Sequence, residues 1–290
     1  MHKSGYVNII GKPNAGKSTL MNKLVGEKLS IITQKAQTTR HRIMGIVSGD
    51  DFQIVYSDTP GILNPKYKLH ESMMKFVSEA FEDADLLIYI HDITDKTENK
   101  STIKKIKAAD KPVIIVINKI DLSTQEDLEE QVIYWQRLFP KSKVLPVSAL
   151  HNFALDVLFK LILEELPEGP PYFDKDTLTD KTERFFASEM IREKIFLNFK
   201  QEIPYSTEVI IDAFKEEEKI VRIMAYIFVI RESQKAILLG HKGSAIKRIG
   251  TEARKDLEDW LRKKVYLELS VKVRKDWRDD DNALKRFGYS

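Results

Sequence analysis

The sequence predicts two folded units in tandem: a mostly parallel α/β sheet with helices on both faces, then a smaller α+β unit. Three observations lead there. Over residues 1–166, short β-branched apolar runs alternate with longer stretches of helical spacing, the pattern of parallel strands covered on both sides. Pro167-Glu168-Gly169-Pro170-Pro171 interrupts that pattern, so 167–182 reads as a linker. Over 183–290 the order becomes helix, two paired strands, basic helix and a last alternating strand.

In the first unit Tyr6–Ile10, Phe52–Ser57, Asp85–Ile90, Val113–Ile117 and Val144–Val147 read as buried strands. His41–Ser48 reads as a further strand, antiparallel to Phe52–Ser57 across Gly49-Asp50. Leu69–Phe81, Thr102–Ala109, Leu128–Phe139 and Ala154–Leu166 have helical spacing, and another helix starts near Lys17. In the second unit Glu183–Phe199 is helical, and Thr207–Phe214 pairs with Ile220–Ile230 around the charged turn Lys215–Lys219. An apolar run that looks strand-like leads to Gly240; a charged helix (Ser244–Lys263) and the strand Val265–Val273 follow.

At 290 residues, 42% hydrophobic and 31% charged, the chain has material for two cores. Its mean hydropathy is −0.33, and no apolar run approaches the roughly 20 residues that span a bilayer. Met1-His2-Lys3-Ser4-Gly5 leads into the first strand without the apolar stretch of a signal peptide. With no cysteine there is no disulfide or thiolate metal site, and the six histidines lack ligand spacing. Residues 231–275 hold 13 Lys/Arg against 6 Asp/Glu, a local +7 that leaves −4 for the rest of a chain at +3. Such a block suits an anionic partner, nucleic acid or membrane surface, although a solvated charged face has the same composition.

Gly11-Lys12-Pro13-Asn14-Ala15-Gly16-Lys17-Ser18, with Thr19 beside it, matches GxxxxGK[ST] between a strand and a helix. There the backbone N–H groups cradle phosphate oxygens, Lys17 reaches the β- and γ-phosphates, and Ser18 offers a hydroxyl to Mg²⁺. Asp58-Thr59-Pro60-Gly61, with Ile62 next, follows another strand. Asp58 is placed to hold Mg²⁺ through water, and the Gly61 N–H to meet a γ-phosphate. Asn118-Lys119-Ile120-Asp121 selects the base: a carboxylate at Asp121 accepts from guanine N1–H and the 2-amino group, donors that adenine lacks. Asn118 helps hold the base, the Lys119 stem covers it, and after the next strand Ser148-Ala149 offers a backbone N–H to guanine O6.

A mobile threonine must join Mg²⁺ and the γ-phosphate. Gln37-Thr38-Thr39-Arg40 supplies two candidates, of which Thr39 is preferred. Lys17, Thr39, Asp58 and Gly61 are thus the candidate catalytic set. Metal ligation falls to Ser18, Thr39 and, through water, Asp58. Ile62 stands where Ras-type switches carry the glutamine that orients water, and an isoleucine cannot do that.

Gly240-His241-Lys242-Gly243 is a GxxG turn inside the basic block. Such a loop lets a nucleic-acid backbone approach closely, with Lys247 and Arg248 as further phosphate contacts. With GKPNAGKSTLMNKLVGEKLSI (Gly11–Ile31), KAQTTRHR (Lys35–Arg42), DTPG and NKID, the chain closely resembles the Era family of bacterial GTPases. ASEMIREK (Ala187–Lys194), GHKGSAIKRIGTEARKDLE (Gly240–Glu258), LELSVKVRKDW (Leu267–Trp277) and ALKRFGY (Ala283–Tyr289) carry the likeness to the C-terminus. The resemblance implies a P-loop G domain followed by a type II KH domain, with Mg²⁺ and GTP or GDP bound. It also implies binding near the 3′ end of 16S ribosomal RNA in assembly of the 30S subunit. A cytoplasmic monomer, peripheral on the inner membrane face, is a further expectation. The alternative from the residues is a GTPase whose basic domain docks on membrane or protein; a GTP-using RNA-modifying enzyme lacks a second catalytic constellation.

Because Ile62 cannot orient water, the purified protein should hydrolyse GTP slowly in a phosphate-release assay. Rapid turnover without any partner would contradict that assignment.

Overall fold

Residues 7, 9 and 10 of the first strand are inaccessible to solvent, so from its outset the chain is the middle of a layered structure. The computed structural model describes residues 1–95, 97 and 100–289. They form two units, Met1–Pro65 with Met73–Asp180, and Lys66–Ser72 with Lys181–Ser290.

Up to the first unit's end the elements are β1 (Lys3–Gly11), α1 (Lys17–Val25), β2 (Ile43–Ser48), β3 (Phe52–Asp58), α2 (Lys68–Glu82, of which residues 68–72 group with the second unit), β4 (Leu86–Asp92), α3 (Lys100–Ala108), β5 (Val113–Asn118), α4 (Gln125–Leu138), β6 (Lys143–Pro146) and α5 (Leu155–Glu165). The strands lie in the order β2-β3-β1-β4-β5-β6, all parallel except β2, which is antiparallel to β3. Leu87, Tyr89, Ile115 and Ile117 pack with Ile103 and Ile106 of α3, Trp135 of α4 and Phe139 just after it. The alternate residues Ile88, Ile90, Ile114 and Val116 are equally buried, so both faces are covered. Strand β1 pairs with β3 on one side and β4 on the other, and the connections diverge there. In open α/β sheets, ligands bind beyond the strand ends at such a point.

The segment after α5, expected as a linker, lies along the first unit. Gly169 O accepts from Ser4 Oγ at 3.1 Å, and the Tyr172 and Phe173 amides donate to Gln53 Oε1 at 2.7 and 2.9 Å. Thr179 forms an antiparallel bridge with Gly45, and the Ile46 amide donates to Leu178 O at 2.8 Å, covering the open edge of β2.

The second unit continues α6 (Glu183–Asn198), α7 (Ile203–Ser206), β7 (Glu208–Glu216), β8 (Ile220–Val229), α8 (Glu232–Leu239), α9 (Ser244–Leu261), β9 (Lys264–Val273) and α10 (Asp281–Arg286). Strands β7 and β8 are antiparallel, with an irregularity between Ile211 and Ala213, whereas β8 and β9 are parallel. Ile191 and Ile195 of α6, Leu238 of α8 and Ile249, Ala253 and Leu257 of α9 close one core against Val209, Ile223, Ile227 and Val271. The apolar run before Gly240, which reads as strand-like, is the helix α8. Its start is fixed by the Gln234 side chain, whose Oε1 accepts from the Ile230 and Arg231 amides at 3.0 and 3.1 Å. A cap of that kind satisfies otherwise orphaned amides, a choice that the apolar character of the run does not report.

The C-terminal segment is packed into the second unit through buried residues of its own. Trp277 is fully buried and donates from Nε1 to Ser206 O at 3.0 Å, and Tyr289 Oη donates to Glu208 Oε2 at 2.7 Å. Replacing Trp277 with Ala should lower unfolding free energy by about 3–5 kcal/mol, read by urea denaturation followed by far-UV circular dichroism. An unchanged midpoint would mean the indole is not part of the core.

Candidate nucleotide site and nucleic-acid interface

Every nucleotide motif leaves the C-terminal end of a strand in the first unit: β1, β3, β5 or β6. The loop after β1 turns into α1 through Gly16, at φ 101°. A Cβ at Gly16 would lie 2.2 Å from Asn118 Nδ2, so this position admits neither a side chain nor its backbone strain. The first-turn amides of α1, those of Ser18 and Thr19 among them, have no acceptor within the helix and no side-chain cap. Lys17 is buried, donating from Nζ to Lys12 O at 2.8 Å and Gly11 O at 3.2 Å. Burial lowers its pKa to about 8 against the pull of Asp58, and phosphate oxygens arriving there would raise it again.

Three side chains from three segments meet beside it. Ser18 Oγ donates to Asp58 Oδ2 at 2.6 Å, and Thr39 Oγ1 lies 2.9 Å from Ser18 Oγ and donates to Asp58 Oδ2 at 3.2 Å. Asp58 is fully buried, its other oxygen, Oδ1, makes no hydrogen bond of regular geometry, and burial pushes its pKa up against the pull of Lys17 and of the Ser18, Ser30 and Thr39 hydroxyls. A cluster of hard oxygen donors around a buried carboxylate suits Mg²⁺. Ser18 and Thr39 would hold the ion directly and Asp58 through water, and when bound it supplies positive charge against the nucleotide phosphates. Of the two candidate threonines, Thr38 is turned away, with Oγ1 2.7 Å from Thr33 Oγ1 and donating to Lys35 O at 2.7 Å.

The loop after Asp58 returns over the phosphate cradle. A Cβ at Gly61 would lie 2.7 Å from Pro13 Cα, and the Ile62 amide donates to Gly11 O at 3.1 Å. Pro60 is buried between them, and the Thr59 hydroxyl is committed to Ile9 O at 2.8 Å. Asn14, at φ 62°, is exposed at the tip of the first loop and donates to Gln34 O at 3.0 Å.

The base-reading loops are joined by Asn118. It donates from Nδ2 to Ala15 O at 2.9 Å and accepts at Oδ1 from the Ala149 amide at 3.0 Å. Asp121 Oδ1 accepts from Ser148 Oγ at 2.5 Å, which fixes the carboxylate that would read guanine. Ile120 anchors the same turn through its amide to Val147 O at 3.4 Å.

Two acidic residues beyond the motifs complete this arrangement. Lys119 Nζ donates to Asp92 Oδ2 at 2.5 Å, and Lys12 Nζ donates to Asp95 Oδ2 at 2.7 Å. Burial works to raise both carboxyls, but hydrogen bonds from these lysines and from Thr94 and Thr97 win, bringing Asp95 to about 2 and Asp92 below the usual range. The sequence signal was there, Asp92-x-Thr94 followed by Asp95-x-Thr97 at the end of a buried strand, yet it reads as turn chemistry rather than as a grip on two distant loops.

In the second unit Gly240 and Gly243 have φ 71° and 77°, Lys242 has φ 49°, and His241, Lys242, Lys247 and Arg248 are all exposed. Beside this loop lies a groove of about 410 Å³ lined by Ile246, Lys247, Gly250, Thr251 and Arg254 of α9 and by Val265, Tyr266, Leu267 and Leu269 of β9. An apolar floor with cationic walls suits stacked bases and their phosphates. Tyr266 and Leu267 were not singled out from the sequence, because an alternating strand does not reveal which face stays open.

Comparison with known proteins agrees with this geometry. The sequence model of the family described as 50S ribosome-binding GTPase matches residues 6–119, and that of the KH domain matches 202–278. The chain is 44% identical to GTPase Era of Syntrophus aciditrophicus, covering all of this chain and 96% of that protein. It is also 44% identical to the chloroplastic ERA-like GTPase of Oryza sativa subsp. japonica, covering 99% of this chain and 70% of the relative. Among solved structures, it is similar to Era in complex with MgGDPNP and nucleotides 1506–1542 of 16S ribosomal RNA. That match has 40% identity and a TM-score of 0.96, covering all of both chains. An Aquifex aeolicus Era variant bound to GDP and AlF4⁻ is 41% identical, with a TM-score of 0.95 and 99% of each chain covered.

Asp121→Asn replaces the acceptor that guanine needs with an amide that donates to a carbonyl at the same position of xanthine. Titration with fluorescent nucleotides should give at least about a hundredfold loss of GDP affinity and a gain for the xanthine nucleotide. Equal GDP affinity in the variant would remove Asp121 from base recognition.

Proposed function

The chain belongs to the Era family of GTPases, and from that premise we propose that it binds 16S ribosomal RNA near its 3′ end and serves assembly of the 30S subunit. It is a Mg²⁺-dependent GTPase carrying an RNA-binding KH domain, with a G domain at residues 1–166 and a KH domain from 183 onward as the proposed division. The observation that carries the reading is one chain holding both the Ser18–Thr39–Asp58 cluster and a GxxG-flanked basic groove. The solved relative that holds MgGDPNP together with a 16S fragment supports it.

In this reading GTP lies with its phosphates on the amides of the loop from Gly11 to Thr19 and against Lys17. Thr39 and the Gly61 N–H meet the γ-phosphate, and Asn118, Asp121 and Ala149 hold the base. Hydrolysis removes what Thr39 and Gly61 grip, so the two segments loosen together. The Ile62 side chain offers no group to orient water, which leaves the rate to backbone groups or to a partner. We further propose that the protein acts as a cytoplasmic monomer where small subunits are assembled, with any membrane contact peripheral to its inner face. Among the described residues no helix is long and apolar enough to cross a membrane.

The charge reversals Lys242→Glu and Lys247→Glu together should weaken binding to a 16S 3′-terminal fragment by more than about tenfold. They should also flatten the dependence of log affinity on log salt by about 1 to 2. GDP affinity should be unchanged. Filter binding that gives equal RNA affinity for the variant would remove the KH loop from recognition.

A further inference from the structure

The first unit carries a strongly charged surface that neither the nucleotide nor the KH groove uses. Helix α3 has the sequence KSTIKKIKA, with four lysines and no acidic residue. Thr102, Ile103 and Ile106 are buried, and Lys100, Lys104, Lys105 and Lys107 are exposed. Lys100, Lys104 and Lys107 stand at i, i+4 and i+7, within an arc of about 60° and over a length of about 10 Å. Lys105 is exposed about 100° round the helix from the nearest of them.

Among the described residues, none of the four lysines has a carboxylate partner. The acids of the neighbouring α4, Glu126, Asp127, Glu129 and Glu130, do not reach them; Asp127 and Glu129 are bonded within their own helix. Lys107 Nζ lies 5.3 Å from the centroid of the Phe139 ring. Lys105 and Lys107 sit favourably in the last turn, but Lys100 stands at the positive end of the helix dipole and lysines at i and i+4 repel, at a cost within the row. That cost is removed when an anion lies along the row.

We propose that α3 is a second RNA-binding surface, a lysine row that contacts the backbone phosphates of structured ribosomal RNA without reading sequence. The proposal rests on the reading that the chain binds ribosomal RNA. Charge complementarity selects a polyanion, and the shape of the helix selects RNA over a lipid surface. A membrane-lying helix presents large apolar side chains beside its cations. Both isoleucines of α3 point into the core instead, and no large apolar residue on it is exposed.

The test uses the full chain with GDPNP and Mg²⁺ and the variant Lys100→Gln/Lys104→Gln/Lys105→Gln/Lys107→Gln. The probes are a short single-stranded 16S 3′-terminal RNA, full-length 16S ribosomal RNA, and vesicles of phosphatidylserine and phosphatidylcholine. GDP affinity and circular dichroism monitor folding, and Lys100→Gln/Lys104→Gln serves as a milder variant with a smaller effect in the same direction. The expected result is unchanged affinity for the short RNA and at least about a tenfold loss for full-length RNA at low salt, with the log–log salt slope reduced by about 2 to 3. Equal affinity and slope on full-length RNA, while the Lys242→Glu/Lys247→Glu variant loses binding, would overturn the proposal and leave the KH reading intact. Loss of vesicle binding with RNA binding unchanged would overturn it in favour of a membrane face. Failure of the wild-type chain to bind either RNA would sink the ribosomal-RNA reading itself, and this proposal with it.

Discussion

Asp58 is the constraint on which the first unit's chemistry turns. It ends β3, is wholly out of water, and satisfies one oxygen with Ser18 and Thr39 while the other makes no hydrogen bond of regular geometry. A buried carboxylate is costly, and a divalent cation is the partner that best relieves that cost. The three side chains come from α1, the segment before β2, and β3. Whatever fills the place beside Asp58 therefore couples the phosphate loop to the segment that carries Thr39.

That segment is held at both ends and left irregular between them. Upstream, Asn22 Oδ1 accepts from the Leu29 and Ser30 amides at 3.0 and 2.9 Å, and Asn22 Nδ2 donates to Ser30 O at 2.7 Å. Downstream, the buried Arg42 donates to both oxygens of Asp83 at 2.6 and 3.0 Å, and to Ser57 Oγ at 2.6 Å. Bidentate guanidinium contacts of this kind fix geometry as well as energy. A stretch pinned at residues 30 and 42 can order or loosen around Thr39 without disturbing the sheet. Just beyond it, β2 hydrogen-bonds to 178–180, the last residues of the first unit before α6 begins.

Much of this was legible in the sequence, for a physical reason. A phosphate loop, a strand-end aspartate and a base-reading loop each work through their own local backbone, so their residue types and spacing are nearly the whole specification. The strands declared themselves through continuous apolar runs such as Val113–Ile117, which are what burial on both faces requires. Features that depend on a distant partner stayed hidden. Nothing local tells Asp92 to hold Lys119, Asp95 to hold Lys12, or Asp83 to hold Arg42. The apolar run before Gly240 suits a strand until Gln234 is seen capping it, and the prolines after Leu166 announce a break in pattern but not a segment laid against β2. Tyr266 and the open face of β9 emerge only once α9 leaves a groove beside them.

In the proposed switch the cluster around Asp58 senses the γ-phosphate, and amide hydrogen exchange tests that most directly. With Mg²⁺ present, exchange at 37–40 and 58–62 should be slow with GDPNP and fast with GDP, and the two segments should change together. Equal exchange in the two nucleotide states, or protection of one segment without the other, would contradict it.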